Sequence, residues 1–484
     1  MRWRITASIL AVLSLGFLSV SLVTGIGGAA PFYAWGFGLT PLSAGFAAMI
    51  SFIGFVVVRF AAVQMRDEHE GKRFHCWLTA VLAAILFTAV SDHFLLFWLG
   101  WVSVSLSLHR LLLFYPERPR AQLAAHKKFI FARLAETSLG AALFGLWWQF
   151  DILHISELSA TPLADSVSAS LLGSASGSEW IAILLVIVAL LKCAQLPMHG
   201  WLLQVVEAPT AVSALLHAGI INLGGFLLLQ FSPLLTDAPV ARWLLAVVAG
   251  ISMLVAATVT MTRISVKVRL AWSTVAQMAL MLVEISLGYY TLAALHLLAH
   301  SCYKAYAFLT SGSAVEQRER QRFVQLGLPP FAAVIGGVLA VVGLVTGFVM
   351  STTQFDYVAP WLAVSLALGL WLSTMFERFR LSELVRAICA AAVWFGVYLV
   401  AVWALSQQLN FAATPYLWQL DVWICMVLLG ITGVYLWLLY RPQSAHSSRL
   451  FVALNAGLYL DEWATRLTLS IWPLRTTKSQ GVSS

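Results

Sequence analysis

The sequence predicts an all-α polytopic membrane protein with about fourteen transmembrane helices (13–15), at least one of them broken. Three observations carry that prediction. Of the 484 residues, 60% are hydrophobic and only 10% charged, whereas soluble domains carry about 25% charged residues. Apolar windows of bilayer-crossing length, about 17–25 residues, recur along the whole chain. Lysine and arginine gather in alternate connections between those windows, as the positive-inside rule requires of a spanning chain.

Taken in order, the windows place spans at 5–25, 42–62, 74–92, 94–113, 129–148, 180–196, 208–230, 242–262, 270–288, 290–312, 328–350, 360–376, 387–406 and 421–440. The first starts with the basic run MRWR and imitates a secretory leader. Its apolar stretch of about 20 residues exceeds the 7–15 of a leader, so a retained span is expected. Connections such as QMRDEHEGKR (64–73) and EQRERQR (316–322) are short and polar, and the longest, 149–178, is rich in Ser and Ala. Twenty Trp and twelve Tyr suit a protein with two interfaces to anchor. After the last span, LNAGLYLDEWATRL (454–467) reads as an amphipathic helix at the cytoplasmic surface.

Charge placement tests this topology. With the N-terminus in the cytoplasm, all 29 Lys and Arg residues fall on the inner side except Arg242, Lys192 and Lys304. The outer connections 351–359 and 407–420 contain none, so both termini are expected in the cytoplasm. The net charge of +8 is therefore a topology signal, and nucleic acid is not an expected partner. Arg242 sits at the outer edge of a span, where it can snorkel. Lys192 and Lys304 lie within apolar segments, where a charge costs about 2.5 kcal/mol or more unless paired or hydrated.

These two lysines lead to a buried ionisable set. Lys192 opens LLKCAQLPMHGW (190–201), with Pro197 and His199 just beyond it. Pro197 and Pro209 flank HGWLLQVVEA, so one helix cannot run through the region. Broken backbone at membrane depth is tolerated where protein buries it or it lines a cavity, and transporters place ion sites at such breaks. Glu207 stands two residues before Pro209. Lys304 belongs to HLLAHSCYK, which puts His296, His300 and Lys304 on one helix face over two turns, about 12 Å of rise. A stripe of titratable groups at that depth is what a proton relay or hydrated cavity needs; the bland alternative is hydrogen bonding between helices. His217 lies in SALLHAG, where a lone histidine is more often a packed hydrogen-bonder. Glu136 can pair with Lys192 or with Arg133, lowering the cost of both charges. Glu284, in the middle of QMALMLVEISLGYY, is either an interface residue or part of the path.

Several classes are excluded. No Walker loop is present, so ATP-driven transport by this chain is not expected. Five cysteines occur without CxxC or other ligand spacing, which argues against a disulfide framework, an iron–sulfur cluster or a zinc site in this chain.

Four segments then carry a resemblance: KCAQLPMHGWL (192–202), EAPTAVSALLHAG (207–219), RLAWSTVAQM (269–278) and HSCYKAYAFLTSGS (300–313). They resemble the proton-translocating antiporter subunits, a family that includes the NuoL-type subunits of respiratory complex I and the Mrp antiporters. The resemblance runs in order from about residue 40 to 350. It implies two inverted five-helix repeats, each with a broken helix, and puts Lys192, His217, Lys267, His296, His300 and Lys304 on the family's charged-residue positions; with Glu136 and Glu207, read from the residues above, these make up the expected proton relay. It divides the chain into N-terminal transmembrane helices (1–92), an antiporter-like core (93–350), C-terminal transmembrane helices (351–440) and a cytoplasmic tail (441–484). Two departures stand out. Val102, in LGWVSVSL (99–106), replaces a glutamate that partners the buried lysine in complex I subunits, which turns attention to Glu136. The segment after 345, VTGFVMSTTQFD, lacks the lysine of the second repeat.

HGWLLQVVEAPT and HAGIINLGGF are most similar to the membrane-subunit branch serving two-component DabA–DabB inorganic carbon uptake. That resemblance implies a transporter subunit rather than an enzyme, in a bacterial inner membrane, conducting H⁺ or Na⁺. It implies a DabA-like cytoplasmic partner, similar to a β-carbonic anhydrase and carrying the zinc, and no cofactor in this chain. The alternative is a pumping subunit of a complex I-like oxidoreductase or an Mrp-type antiporter.

Overall fold

A computed structural model of the chain describes residues 1–160, 176–313, 341, 358–373 and 381–473. Among these, ten helices are long and apolar enough to cross a membrane. The chain opens with α1 (Arg2–Gly25), a two-stranded antiparallel hairpin (Phe32–Ala34 with Phe37–Leu39) and α2 (Pro41–Gln64). The hairpin was not foreseen from sequence; it delivers the chain to Thr40, whose side chain accepts from the Ser43 amide and caps α2. Then follow α3 (Gly71–Val90), α4 (Phe94–Leu112), α5 (Pro119–Phe150) and α6 (Ser176–Lys192). Helix α5 begins ten residues before its predicted span, because Pro119 at its first turn is well placed to start a helix. That extension brings Lys127 and Lys128 onto the helix.

The break predicted around Pro197 and Pro209 is present. After α6 the chain runs irregularly to a short α7 (Gly200–Gln204), a 3₁₀ turn over Val205–Glu207, and α8 (Thr210–Ala218). A second break follows. At Gly219 the helix gives way to a 3₁₀ turn, Ile220–Asn222, before α9 (Leu223–Gln230). Asn222 repairs part of the damage: its Nδ2 donates to the Ala218 carbonyl (2.8 Å) and to Ser301 Oγ (2.6 Å). A freed backbone group in a membrane protein needs such a partner.

Next come α10 (Pro239–Thr262), α11 (Val266–Ser286) and α12 (Tyr290–Leu309). Beyond these lie α13 (Ala359–Ser373), α14 (Leu381–Gln408) and α15 (Trp418–Tyr440). The span expected at 328–350 lies outside the described residues. Burial sorts the helices into layers. The 210–230 stretch is wholly buried, whereas the apolar windows of α15 and of 389–408 are 11% and 6% buried. The broken helix is thus the centre of the bundle, and α1, α14 and α15 lie at its edge. Lipid is as apolar as leucine, so close packing holds such a centre together. Gly224 illustrates this: a Cβ there would collide with Cys193 and the Ala189 carbonyl of α6.

At the edge, polar contacts do the holding. Asp421 of α15, almost fully buried, accepts from the amides of Val358 and Ala359 (2.8 and 2.7 Å), which start α13. Arg242 corrects an expectation. It does not snorkel: it is buried, and its guanidinium donates to the carbonyls of Ser286 and Pro415, both at 2.9 Å.

The tail is also more structured than one helix. It forms α16 (Ala445–Asn455) and α17 (Glu462–Ile471), joined by a kink at Leu458 and Tyr459. Helix α17 packs on α5, with Trp472 stacked on His126 at 3.9 Å between ring centroids.

Candidate functional site

Two clusters of buried ionisable side chains flank the broken α8–α9 helix. The first surrounds Lys192 at the end of α6. It lines a small cavity with Lys128 and Glu136 from α5, Trp101 from α4, Trp201 from α7 and Ile220 from the second break. About 20 Å³ of this cavity is open to the centre of a water molecule, which is room for at least one. Lys128 and Glu136 reach it together because eight residues are close to two full helical turns.

The Lys192 ammonium sits 4.5 Å from the centroid of the Trp101 ring, a cation–π geometry. The Glu136 carboxylate pairs with Arg133 at 2.6 Å. Of the two partners open to Glu136 in the sequence, Arg133 is therefore the bonded one, and Lys192 shares the cavity with it. Ser105 of α4 ties the group together. Its hydroxyl meets Arg133 Nη2 at 3.0 Å and Lys128 Nζ at 3.1 Å, while its carbonyl accepts from Lys128 at 2.7 Å.

The second cluster lies between α8, α11 and α12. His217 stacks on Phe308 (4.3 Å between centroids), and its Nδ1 meets Thr274 Oγ1 at 3.0 Å. Its Nε2 is buried without a hydrogen-bond partner, as are both ring nitrogens of His300. Lys304 donates to Ser273 Oγ (2.8 Å) and to the Leu270 carbonyl (3.2 Å). His296 continues the stripe: its ring lies 6.2 Å from that of His300, its Nδ1 meets the Glu284 carboxylate at 3.1 Å and its Nε2 meets Gln277. His296, His300 and Lys304 thus share one face of α12, and Glu284 of α11 meets it at the His296 end.

Lys267 and Glu207 belong to neither cluster. Lys267 donates to Thr210 Oγ1 at 3.1 Å, at the start of α8. Glu207 faces outward and meets the exposed Arg120 at 3.4 Å. Both mark the rim of the break.

Lys128 and Ser105 belong to the first cluster without being singled out by the sequence, and the docking of the predicted tail helix onto α5 is not legible there either. Lys127 was counted as a topology residue, yet its side chain has no exposed surface and its Nζ donates to Asp461 at 2.6 Å. A pair of adjacent lysines opening an apolar helix was the available signal. Among the described residues no group of three or more His, Cys, Asp or Glu side chains is placed to hold a metal ion.

A membrane bundle built around a broken central helix, with buried lysines on both sides of it and a row of histidines on one, defines an antiporter-like membrane subunit. Residues 91–328 match the family described as "NADH:quinone oxidoreductase/Mrp antiporter, TM". The fold is similar to that of the Mrp complex from Dietzia sp. DQ12-45-1b, with a TM-score of 0.62 at 21% identity. That likeness covers 99% of this chain and 58% of the Mrp chain, so this chain spans little more than half of its structural neighbour. It is 42% identical to the "Probable inorganic carbon transporter subunit DabB" of Hydrogenovibrio crunogenus, over 98% of this chain and 90% of that protein. It is 36% identical to the "Probable inorganic carbon transporter subunit DabB2" of Halothiobacillus neapolitanus, over 88% of this chain and 79% of the relative. The chain belongs to this DabB family of membrane transporter subunits.

Proposed function

We propose that the chain is the energy-coupling membrane subunit of an inorganic carbon uptake complex. It conducts H⁺, or Na⁺, down its gradient across a bacterial inner membrane, with both termini in the cytoplasm. The carrying observation is the pair of buried ionisable clusters on either side of the broken α8–α9 helix. Charged groups at this depth are costly, and their usual reason is an ion path.

In this reading the cavity holding Lys192 and Glu136 is the central relay, because it brings a cation and a carboxylate to one place with room for water. His217, Lys304, His300 and His296 continue the path toward Glu284. Histidine suits this role, since each ring can accept a proton on one nitrogen and release one from the other. Lys267 and Glu207 stand at the rim of the break. Ion flow through the chain drives CO₂ hydration or bicarbonate accumulation by a DabA-like cytoplasmic partner that resembles a carbonic anhydrase and carries the zinc. The name DabB, borne by the relatives above, supports the carbon substrate; the four-motif resemblance supports the ion path.

The test is inorganic carbon uptake in cells expressing the full chain with its partner, with and without a protonophore. Uptake should collapse with the protonophore and in Lys192→Ala. A Lys192→Ala chain that reaches the membrane, assembles and supports full uptake would sink the assignment.

A further inference from the structure

The tail carries an ion pair that this scheme leaves unused, and it touches the break itself. Lys127 Nζ donates to Asp461 Oδ2 (2.6 Å) and to Thr465 Oγ1 (2.7 Å). Gln204 Nε2, at the end of α7, donates to the same Oδ2 at 3.2 Å. A Cβ at Gly200 would collide with the Asp461 carboxylate, so the first residue of α7 lies flat against it. The next residue, Trp201, lines the Lys192 cavity. The Asp461 side chain keeps 24% of its surface exposed while that of Lys127 keeps none. One side chain therefore reaches both the surface and the broken segment, one residue away from the cavity wall.

The surroundings are unusually rich in unused hydrogen-bonding capacity. Asp461 Oδ1, Gln204 Oε1, His199 Nδ1 and Trp201 Nε1 are all buried without a protein partner. Native proteins carry only a few such atoms per hundred residues, and each calls for an explanation. Three of them on residues 199–204, with the Asp461 carboxylate set against that segment, mark a polar passage rather than a sealed contact. The charged group facing Asp461 is Lys127 from α5, with Gln204 of the break and Thr465 of α17 completing its polar surroundings. Its neighbour Glu462 is occupied by Arg466 at 3.0 Å. Burial raises the Asp461 carboxyl above its ordinary range, opposed by Lys127 and Thr465.

We propose that Asp461 is the inner mouth of the path, the group through which protons pass between the broken segment and cytoplasmic water. The inference rests on the conduction reading above. A proton arriving along the break adds to the Asp461 carboxylate, and the ion pair with Lys127 is lost. The carboxyl O–H then breaks toward bulk water, which becomes hydronium, and the carboxylate pairs with Lys127 again. Lys127 is the positioning residue that keeps the carboxylate in the break.

Asp461→Asn separates this role from that of a structural latch. Asparagine keeps the shape and an acceptor oxygen for Lys127 but cannot ionise. Proton flux should be measured across inverted membrane vesicles from cells expressing the full chain and its partner, over a range of pH. Asp461→Asn should lower flux about tenfold or more with the amount of chain in the membrane unchanged. Asp461→Glu should restore most of it with a displaced pH profile, and Gly200→Ala, which expels the carboxylate, should reproduce the loss. Wild-type flux with an unchanged pH profile in Asp461→Asn overturns the inference; if Lys192→Ala abolishes flux alongside, the conduction reading survives it. Full flux in Lys192→Ala removes both. Should Asp461→Asn fail to reach the membrane, an unchanged pH profile in Asp461→Glu is the overturning result.

Discussion

The two buried clusters solve the same problem by different chemistry. Around Lys192, three cations (Lys128, Arg133 and Lys192) crowd one carboxylate, Glu136, and Ser105 spreads hydrogen bonds among them. Around Lys304, the polar groups are spaced along α12, and histidine nitrogens face the interior without partners. The first cluster is set by charge balance, where removing one member leaves the others uncompensated. The second is a row of groups spaced along one helix, where removal leaves a gap. Loss of function should therefore be steep in the first and graded in the second.

The largest effect is expected for Glu136→Gln, which removes the carboxylate from a cavity lined by cations. Carbon uptake should fall about a hundredfold, and adding Arg133→Gln should recover part of it by restoring the balance. A full recovery would show that charge, not a specific proton acceptor, is what the cavity needs. A smaller loss, about tenfold, is expected for His300→Ala and for Lys304→Ala, measured the same way. If both leave uptake unchanged, the α12 stripe is structural and the comparison fails. Thr274→Val takes away the Nδ1 partner of His217. Uptake should drop only about twofold to fivefold, because the Phe308 stack still holds the ring. Glu207→Gln should sit below about twofold, since its pair with Arg120 is exposed and such pairs contribute about 0–1 kcal/mol. A loss as deep as that of Glu136→Gln would move Glu207 from the rim into the path.

Much of the fold was legible in the chain because a bilayer imposes its own length scale. Apolar windows gave the spans, and Pro197 and Pro209 gave the first break. The stripe of His296, His300 and Lys304 was readable because four-residue spacing puts side chains on one helix face. The second break was not: Gly219 and Asn222 look ordinary until Ser301, 79 residues away, is placed beside Asn222. The same holds for Lys127 and Asp461, which stand 334 residues apart. Local periodicity carries no record of such pairs. Arg133 was visible as a partner for Glu136, but so was Lys192; the structure has the i,i+3 pair with Arg133, which also meets Ser105 of α4.

The cap that Asp421 supplies to α13 has a consequence for how the chain is made. The two amides that start α13 are satisfied by a side chain from α15, 62 and 63 residues later in the sequence. During synthesis α13 is therefore expected to enter the bilayer with its first turn open until α15 arrives to complete it. Insertion at this edge of the molecule should then be a paired event. A nascent chain halted before Trp418 should leave the start of α13 open to water-soluble probes, and one halted beyond Tyr440 should not. Asp421→Ala should then show its defect in the yield of inserted chain, with little change in the transport rate of the molecules that do assemble.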